Sequence, residues 1–98
     1  MDQSSLQSLL ETMADHVYFQ PPEKLAIEFP CIIYSRDAGD TKFADNTVHS
    51  FTQRYQITAI DRSPIGPIRE KLAWTPGMLF VRFYVKDGLN HDVFTLYW

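Results

Sequence analysis

Histidine, cysteine and carboxylate side chains are the residues of this 98-residue chain that could hold a metal or carry out catalysis. The three histidines, His16, His49 and His91, are far apart in the sequence, and none has the cysteine or histidine neighbours typical of a zinc site. The only cysteine, Cys31, lies in an apolar run that predicts a buried strand, where cysteine acts as a small hydrophobic residue. We therefore expect neither a metal site nor a cysteine nucleophile.

Acidic residues and glycines also lack the spacing of a known catalytic motif. Asp37, Asp40 and Asp45 form a cluster without the ligand spacing or the terminal glutamate of a calcium-binding EF-hand, so turn formation is the better interpretation. The four glycines are isolated, which argues against a phosphate-binding loop. Catalytic carboxylates need not be adjacent in sequence, so an uncharacterised enzyme domain remains an alternative. We expect no catalytic residues and no cofactor.

A small nucleic-acid-binding domain is the second alternative. Tyr55, Phe83 and Tyr84 could stack on bases, with Arg54 and Arg82 beside them. Strand alternation, however, places Tyr55 and Phe83 on an apolar face and the two arginines on the opposite face, as in any core-forming strand. The net charge of −3 and the isoelectric point of about 5.4 also lack a basic footprint.

Length and composition predict a single domain, residues 1–98, that gains from association. The chain is 45% hydrophobic and 14% aromatic, ample for one core. A domain this small buries only about 60% of its unfolded surface, so oligomerisation would add stability. With no signal-like segment, no apolar run of about 20 residues and one cysteine, we expect a soluble protein made in the cytoplasm, with no membrane partner.

Charge is divided unevenly along the chain. Residues 1–50 contain three basic and eight acidic side chains, a balance of −5, whereas residues 51–98 contain six basic and four acidic ones, a balance of +2. Opposite charge on two sides of a molecule suits head-to-tail packing of subunits.

Two helices are predicted from apolar residues at helical spacing. Residues 3–14 carry one such stripe and begin with a Ser-x-x-Gln capping box at Ser4. A second, shorter helix ends near Trp74. Its apolar residues are Ile65, Ile68 and Leu72.

Five segments alternate or are apolar enough to be strands: residues 16–20, 31–36, 51–61, 79–86 and 91–98. On the clearest strand, Phe51, Tyr55, Ile57 and Ala59 share one face. In the fourth strand Val81, Phe83 and Val85 are predicted to form the apolar face. The pattern predicts an α+β fold of order α-β-β-β-α-β-β, a mostly antiparallel sheet of four to five strands with the N-terminal helix and the second short helix packed on it.

Several short segments together resemble a family of small structural proteins encoded by tailed phages and prophages, described as minor capsid or tail completion proteins. The segments are YFQPP (18–22), FPCIIY (29–34), ADN (44–46), RYQIT (54–58) and LNHDVFTLYW (89–98). The resemblance extends from about residue 15 to the C-terminus.

This resemblance implies a non-enzymatic structural protein in the neck of a long-tailed virion. The implied role is that of a tail terminator, a homo-oligomeric ring, of six copies, that caps the tail tube and joins it to the head. The implied partners are the tail tube protein and a head-completion or stopper protein, and DNA would pass through the ring without specific binding. Assembly in the host cytoplasm would place the chain in the virion. A head–tail stopper or connector is the alternative within this family.

Partner recognition is predicted for residues 37–50, a polar, turn-rich segment between two strands. We expect a loop that is mobile in the free subunit and ordered in the assembly. Phe43 stands among polar residues and is predicted to be an apolar anchor, buried against another chain. The full predicted partner surface comprises Asp37, Asp40, Lys42, Phe43, Asp45, Val48, Arg54 and Arg82.

Overall fold

The computed structural model describes residues 2–98 as two helices and one five-stranded sheet. In chain order the elements are α1 (Gln3–Glu11), β1 (Val17–Phe19), β2 (Cys31–Ala44), β3 (Thr47–Asp61), α2 (Pro67–Ala73), β4 (Leu79–Lys86) and β5 (Leu89–Tyr97). The strand order is β1-β2-β3-β5-β4, with β1 parallel to β2 and the other neighbouring pairs antiparallel. The predicted α+β class, element order and mostly antiparallel sheet are confirmed. Within residues 2–98, neither helix has the length and apolarity needed to cross a bilayer.

The core lies on the face of the sheet that carries both helices. Helix α1 contributes Leu6 and Leu10, and helix α2 contributes Ile68 and Leu72. The sheet contributes Ile32, Tyr34, Tyr55, Ile57, Ala59, Phe94 and Leu96. Fully burying a large apolar side chain is worth about 1.5–3 kcal/mol relative to leaving it exposed, so this face supplies most of the stabilising burial.

Helix α1 is shorter than predicted and begins with a different cap. It ends at Glu11, and its N-cap is Asp2, whose carboxylate accepts a hydrogen bond from the backbone N–H of Ser5 at 3.0 Å. The predicted capping box at Ser4 is wrong, because the Ser4 hydroxyl instead donates to Asp2 Oδ1. Aspartate is among the strongest N-cap residues. The hydrogen bond from Ser5 N–H, with those from the two serine hydroxyls, lowers the pKa of Asp2.

Helix α2 follows the prediction except at its first apolar residue. Pro67 occupies the first turn, where the missing N–H carries no penalty. Ile68 and Leu72 are buried as predicted. Ile65 precedes the helix and is 82% exposed, so its assignment to the apolar stripe is wrong.

The segment predicted as a loop is most of a long β-hairpin. Strand β2 continues through it to Ala44, β3 begins at Thr47, and only Asp45 and Asn46 lie in the turn. Both turn residues have positive φ, 52° and 64°, as two-residue hairpin turns of the favoured twist require. The strands supply each other's backbone hydrogen bonds, so an irregular loop is the wrong description of residues 37–50.

Strand β4 also differs from its prediction. All eight of its residues are exposed, including Val81, Phe83 and Val85, which were expected to face the core. A register shift between Phe80 and Arg82 marks a β-bulge. The side chains of β4 are exposed because the strand lies outside β5, at the edge of the sheet.

Strand β5 lies between β3 and β4 and ties the end of the chain to α1. Phe94 and Leu96 are buried in the core. The strand begins at Leu89, two residues earlier than predicted, because Asp87 and Gly88 form a two-residue turn with positive φ. The Trp98 indole N–H lies 3.0 Å from the backbone carbonyl oxygen of Asp2 and 2.9 Å from the hydroxyl of Ser5.

Candidate interaction surfaces

The β2–β3 hairpin projects beyond the rest of the sheet. Strand β5 pairs with β3 only from Arg54 to Asp61, so the outer parts of the hairpin, residues 38–44 and 47–53, form a two-stranded ribbon. We call this ribbon with its turn, residues 38–53, the arm. Seven residues of strand extend about 23 Å at 3.3 Å per residue. The elongated shape of the described chain, 51 × 29 × 24 Å, is consistent with such a projection.

One face of the arm is apolar. Phe43 pairs with Val48, and Thr41 pairs with Phe51, and directly opposed residues share a face. The exposed fractions of Phe43, Val48 and Phe51 are 69%, 63% and 58%. The Phe51 ring lies over Gly39, where an added Cβ would stand 2.5 Å from the ring. Glycine at this position therefore lets an aromatic side chain lie along the arm.

Charged side chains occupy the base and the other face of the arm. At the base, Arg54 Nη2 lies 2.7 Å from Asp37 Oδ1, and Arg54 Nε donates to the same oxygen at 3.2 Å. Farther out, Lys42 Nζ lies 3.4 Å from Asp40 Oδ2. Exposed ion pairs are worth at most about 1 kcal/mol. The Asp37–Arg54 pair is thus partly buried at the base of the arm, whereas the Asp40–Lys42 pair is exposed.

The edge formed by β4 is the second apolar surface. Six of its eight residues are large hydrophobic side chains with exposed fractions from 38% to 66%. They are Leu79, Phe80, Val81, Phe83, Tyr84 and Val85. The other two residues, Arg82 and Lys86, are cations, and Arg82 lies over the Tyr84 ring at 5.5 Å. We call residues 79–86 the β4 edge.

The opposite edge of the sheet is much less able to accept a strand. Strand β1 has three residues, Val17–Phe19, and is followed by Pro21 and Pro22. Neither proline has a backbone N–H to donate, and short edges ending in proline are a common protection against pairing. The β4 edge is eight residues long and contains no proline, so it lacks both of these features.

Exposed apolar residues are concentrated on these two surfaces. The described chain has thirteen exposed large hydrophobic residues, and nine of them lie on the arm or the β4 edge. Scattered exposed hydrophobic residues are normal, whereas contiguous patches mark interaction sites. The arm and the β4 edge are therefore the best candidates for binding surfaces.

Seven of the eight residues predicted to bind partners lie on the arm or at its base, and the eighth does not. Arg82 lies on the β4 edge, on the far side of β5 from the hairpin. Sequence reasoning missed Phe51 and the six hydrophobic residues of the β4 edge. Phe51 shares the face of Tyr55 and Ile57, so alternation assigned it to the core, but it lies on the arm and is 58% exposed.

The histidines and the cysteine lie apart from one another. His16 pairs with Glu28 at 3.2 Å, His91 stacks on Tyr84 with ring centroids 4.6 Å apart, and His49 is exposed on the arm. Among residues 2–98, no three histidine, cysteine or acidic side chains are placed to share a metal ion. Cys31 is fully buried, and burial raises the pKa of its thiol to about 11, which disfavours the reactive thiolate.

One carboxylate is buried between the sheet and α2. Asp92 is 6% exposed on β5, and its Oδ1 lies 3.6 Å from Arg69 Nε. Burial raises the pKa of Asp92, and the nearby Arg69 opposes that shift. Because the guanidinium belongs to α2, this pair joins the helix to the sheet.

A shallow depression separates the end of α1 from the start of α2. Its volume is about 240 Å³, and its lining includes Met13, Pro30, Ile68 and Lys71. Small-molecule sites usually measure about 300–1,000 Å³. None of its lining residues belongs to the arm or to the β4 edge. The lining side chains do not form an arrangement typical of a catalytic site.

Sequence comparisons were made with protein-family models and with curated proteins. No protein-family model matches the chain, and no curated protein matches its sequence. Function is therefore inferred from the two apolar surfaces and from the resemblance of the short sequence segments.

Proposed function

We propose that this chain is a non-enzymatic structural subunit of a tailed-phage virion, acting as the tail terminator that caps the tail tube and joins it to the head. The observation that carries the proposal is the pair of apolar surfaces, the arm and the β4 edge, which one subunit leaves exposed. Their different shapes and places in the fold suit an assembly protein. The resemblance to tail completion proteins, from about residue 15 to the C-terminus, supplies the viral context.

A ring is the assembly that such a subunit favours. An isologous dimer buries the same patch on both partners, whereas a head-to-tail contact joins two different patches and closes into a ring when the rotation permits. The arm and the β4 edge are two different patches. Six copies are proposed, as the resemblance implies.

The charge of the chain suits a ring through which DNA passes. With a net charge of −3, the subunit has no cationic surplus to retain phosphates. We expect negligible binding of duplex DNA at physiological salt in a mobility-shift titration. Tight binding that falls steeply with salt would instead support a nucleic-acid-binding domain.

Deleting the coding sequence from the phage that carries it tests the role. Without a cap the tail tube has no signal to stop growing, so we expect tails of uncontrolled length beside unattached, DNA-filled heads in electron micrographs. Expression of the intact chain from a plasmid is the control and should restore virions. Tails of normal length with heads that lose their DNA would assign the chain to the stopper position. Normal virions would refute the proposal.

Copy number provides an independent measurement. Quantitative mass spectrometry of purified virions should give six copies of this chain per particle, and reconstruction of the neck should place them in one ring. One or two copies per virion would contradict the ring.

A further inference from the structure

We propose that the β4 edge binds the arm of a second copy of this chain, so that the sheet of one subunit continues into the hairpin of the next. The inference rests on the proposed function, because it names the joint between neighbouring subunits of the ring. Strand addition to an exposed sheet edge is a common way for proteins to bind extended segments.

Backbone geometry makes the two surfaces complementary in length. The β4 edge pairs only with β5, so the backbone groups on its outer side have no strand partner in the sheet. Along the arm, β2 has no neighbour except β3, since β1 pairs only with residues 32–34. Eight residues of β4 extend about 26 Å and seven residues of the arm about 23 Å, so one arm strand covers nearly the whole edge.

Apolar side chains on both surfaces would be removed from water by this contact. Phe43, Val48 and Phe51 share one face of the arm, and Phe80 and Phe83 stand on the face of β4 that adjoins the core. Each of these side chains is about half exposed or more in the single subunit. Aromatic residues at the centre of an interface commonly contribute most of its binding energy.

Charge favours the pairing of an arm with an edge over other pairings. The arm, residues 38–53, contains two carboxylates, Asp40 and Asp45, and one ammonium group, Lys42, a balance of −1. The β4 edge contains Arg82 and Lys86 and no carboxylate, a balance of +2. Two arms or two edges placed together would bring like charges into contact, which opposes isologous pairing. A second copy is therefore the partner that matches in charge, length and apolarity.

Cross-linking of mixed single-cysteine variants tests the joint directly, because Cys31 is buried and should not react. Thr41→Cys is placed on the arm of one preparation and Val85→Cys on the β4 edge of another. A bis-maleimide of about 10 Å should join the two in the mixture, in concentrated protein and in assembling tails. Ser8→Cys, on the exposed side of α1, is the control and should give at least tenfold less product with either partner. Products that join two arms or two edges, or no product in either setting, would refute the inference.

Charge reversal and its rescue provide the second measurement. Arg82→Glu with Lys86→Glu should reduce cross-linking at least tenfold, and adding Asp40→Lys with Asp45→Asn to the partner copy should restore it to within threefold. Asparagine is chosen at position 45 because φ is positive there. Lys71→Glu, on α2, is the matched control. No effect of the β4 reversal, or no rescue, would refute the joint.

Failure of this inference can be told apart from failure of the proposed function. If deletion of the gene gives overgrown tails while the β4 reversal leaves tails and cross-links unchanged, the terminator role stands and the joint is wrong. If cross-links form between arm and edge but deletion leaves virions intact, the joint stands and the terminator role is wrong.

Discussion

Truncating Phe43 should weaken assembly while leaving the subunit folded. The side chain is 69% exposed, so only about a third of it is buried in its own subunit. With about 1.5–3 kcal/mol for complete burial, Phe43→Ala should cost the isolated subunit about 0.5–1 kcal/mol. At about 4–8 °C per kcal/mol for a domain of this size, the melting temperature should fall by a few degrees. An interface anchor contributes about 2 kcal/mol or more, so assembly should weaken by about 30-fold.

Two matched variants make this prediction specific. Phe94→Ala removes a ring that is 1% exposed and stacks edge-to-face on Phe80, so it should cost about 3–5 kcal/mol of folding stability. Ile65→Ala removes an exposed side chain outside the arm and the β4 edge, so it should change neither property. Thermal melts followed by circular dichroism measure stability, and tail completion in extracts measures assembly. The reasoning fails if Phe43→Ala destabilises the monomer as Phe94→Ala does, or if tail completion proceeds at the normal rate.

Three further predictions follow from β5, Asp92 and Cys31. Deleting residues 96–98 removes the buried Leu96 and the hydrogen bonds of Trp98 to α1, so the domain should unfold. If the melting temperature stays unchanged and only assembly is lost, the end of the strand is an interface element instead. Burial raises the pKa of Asp92 in the folded protein above its value in the unfolded chain. The protonated carboxyl therefore favours folding at pH values below the unfolded pKa, and this contribution to stability is lost as the pH rises through the folded pKa. Asp92→Asn should therefore raise the melting temperature at pH 7 more than at pH 3, and an equal change at both would contradict this. Cys31 should resist maleimide at pH 7 in the native protein and react at once in denaturant; rapid native labelling would show that the strand opens.

The core could be predicted from the sequence because its periodicity reports burial directly. Tyr55, Ile57 and Ala59 alternate with polar residues on β3, and Leu6 and Leu10 recur at helical spacing on α1. In both elements the residues that show this periodicity have one side packed in the core. The pattern therefore predicted element order, fold class and most of the buried residues.

The arm could not be predicted as a pair of strands because of its composition. Residues 37–50 include three aspartates, one asparagine and one glycine, which favour turns. Only a packed face would have added the apolar alternation of a strand. A free ribbon packs on nothing in its own subunit, so its residues need only pair with each other. Of the predicted turn formers, Asp45 and Asn46 alone form the turn. Phe43 and Val48 were the apolar signals of a binding surface in this segment.

The exposure of the β4 edge could not be predicted because its sequence has the apolar alternation of a half-buried strand. Val81, Phe83 and Val85 alternate with polar or amphipathic residues as they would on a strand with one buried face. Whether such a face is covered depends on the place of the strand in the sheet, and the order β3-β5-β4 is set by long-range pairing. Local pattern cannot distinguish a strand under a helix from an exposed edge strand.

An exposed apolar edge of eight residues is prone to pair with the same edge of another molecule. The charged residues of the β4 edge oppose this pairing. Arg82 and Lys86 would face the same cations of another copy, so edge-to-edge pairing is opposed by like charge. In the proposed joint, an acidic arm would instead meet the opposite charge at this place. The two cations would then both oppose self-pairing of the edge and favour its pairing with the arm of a second copy.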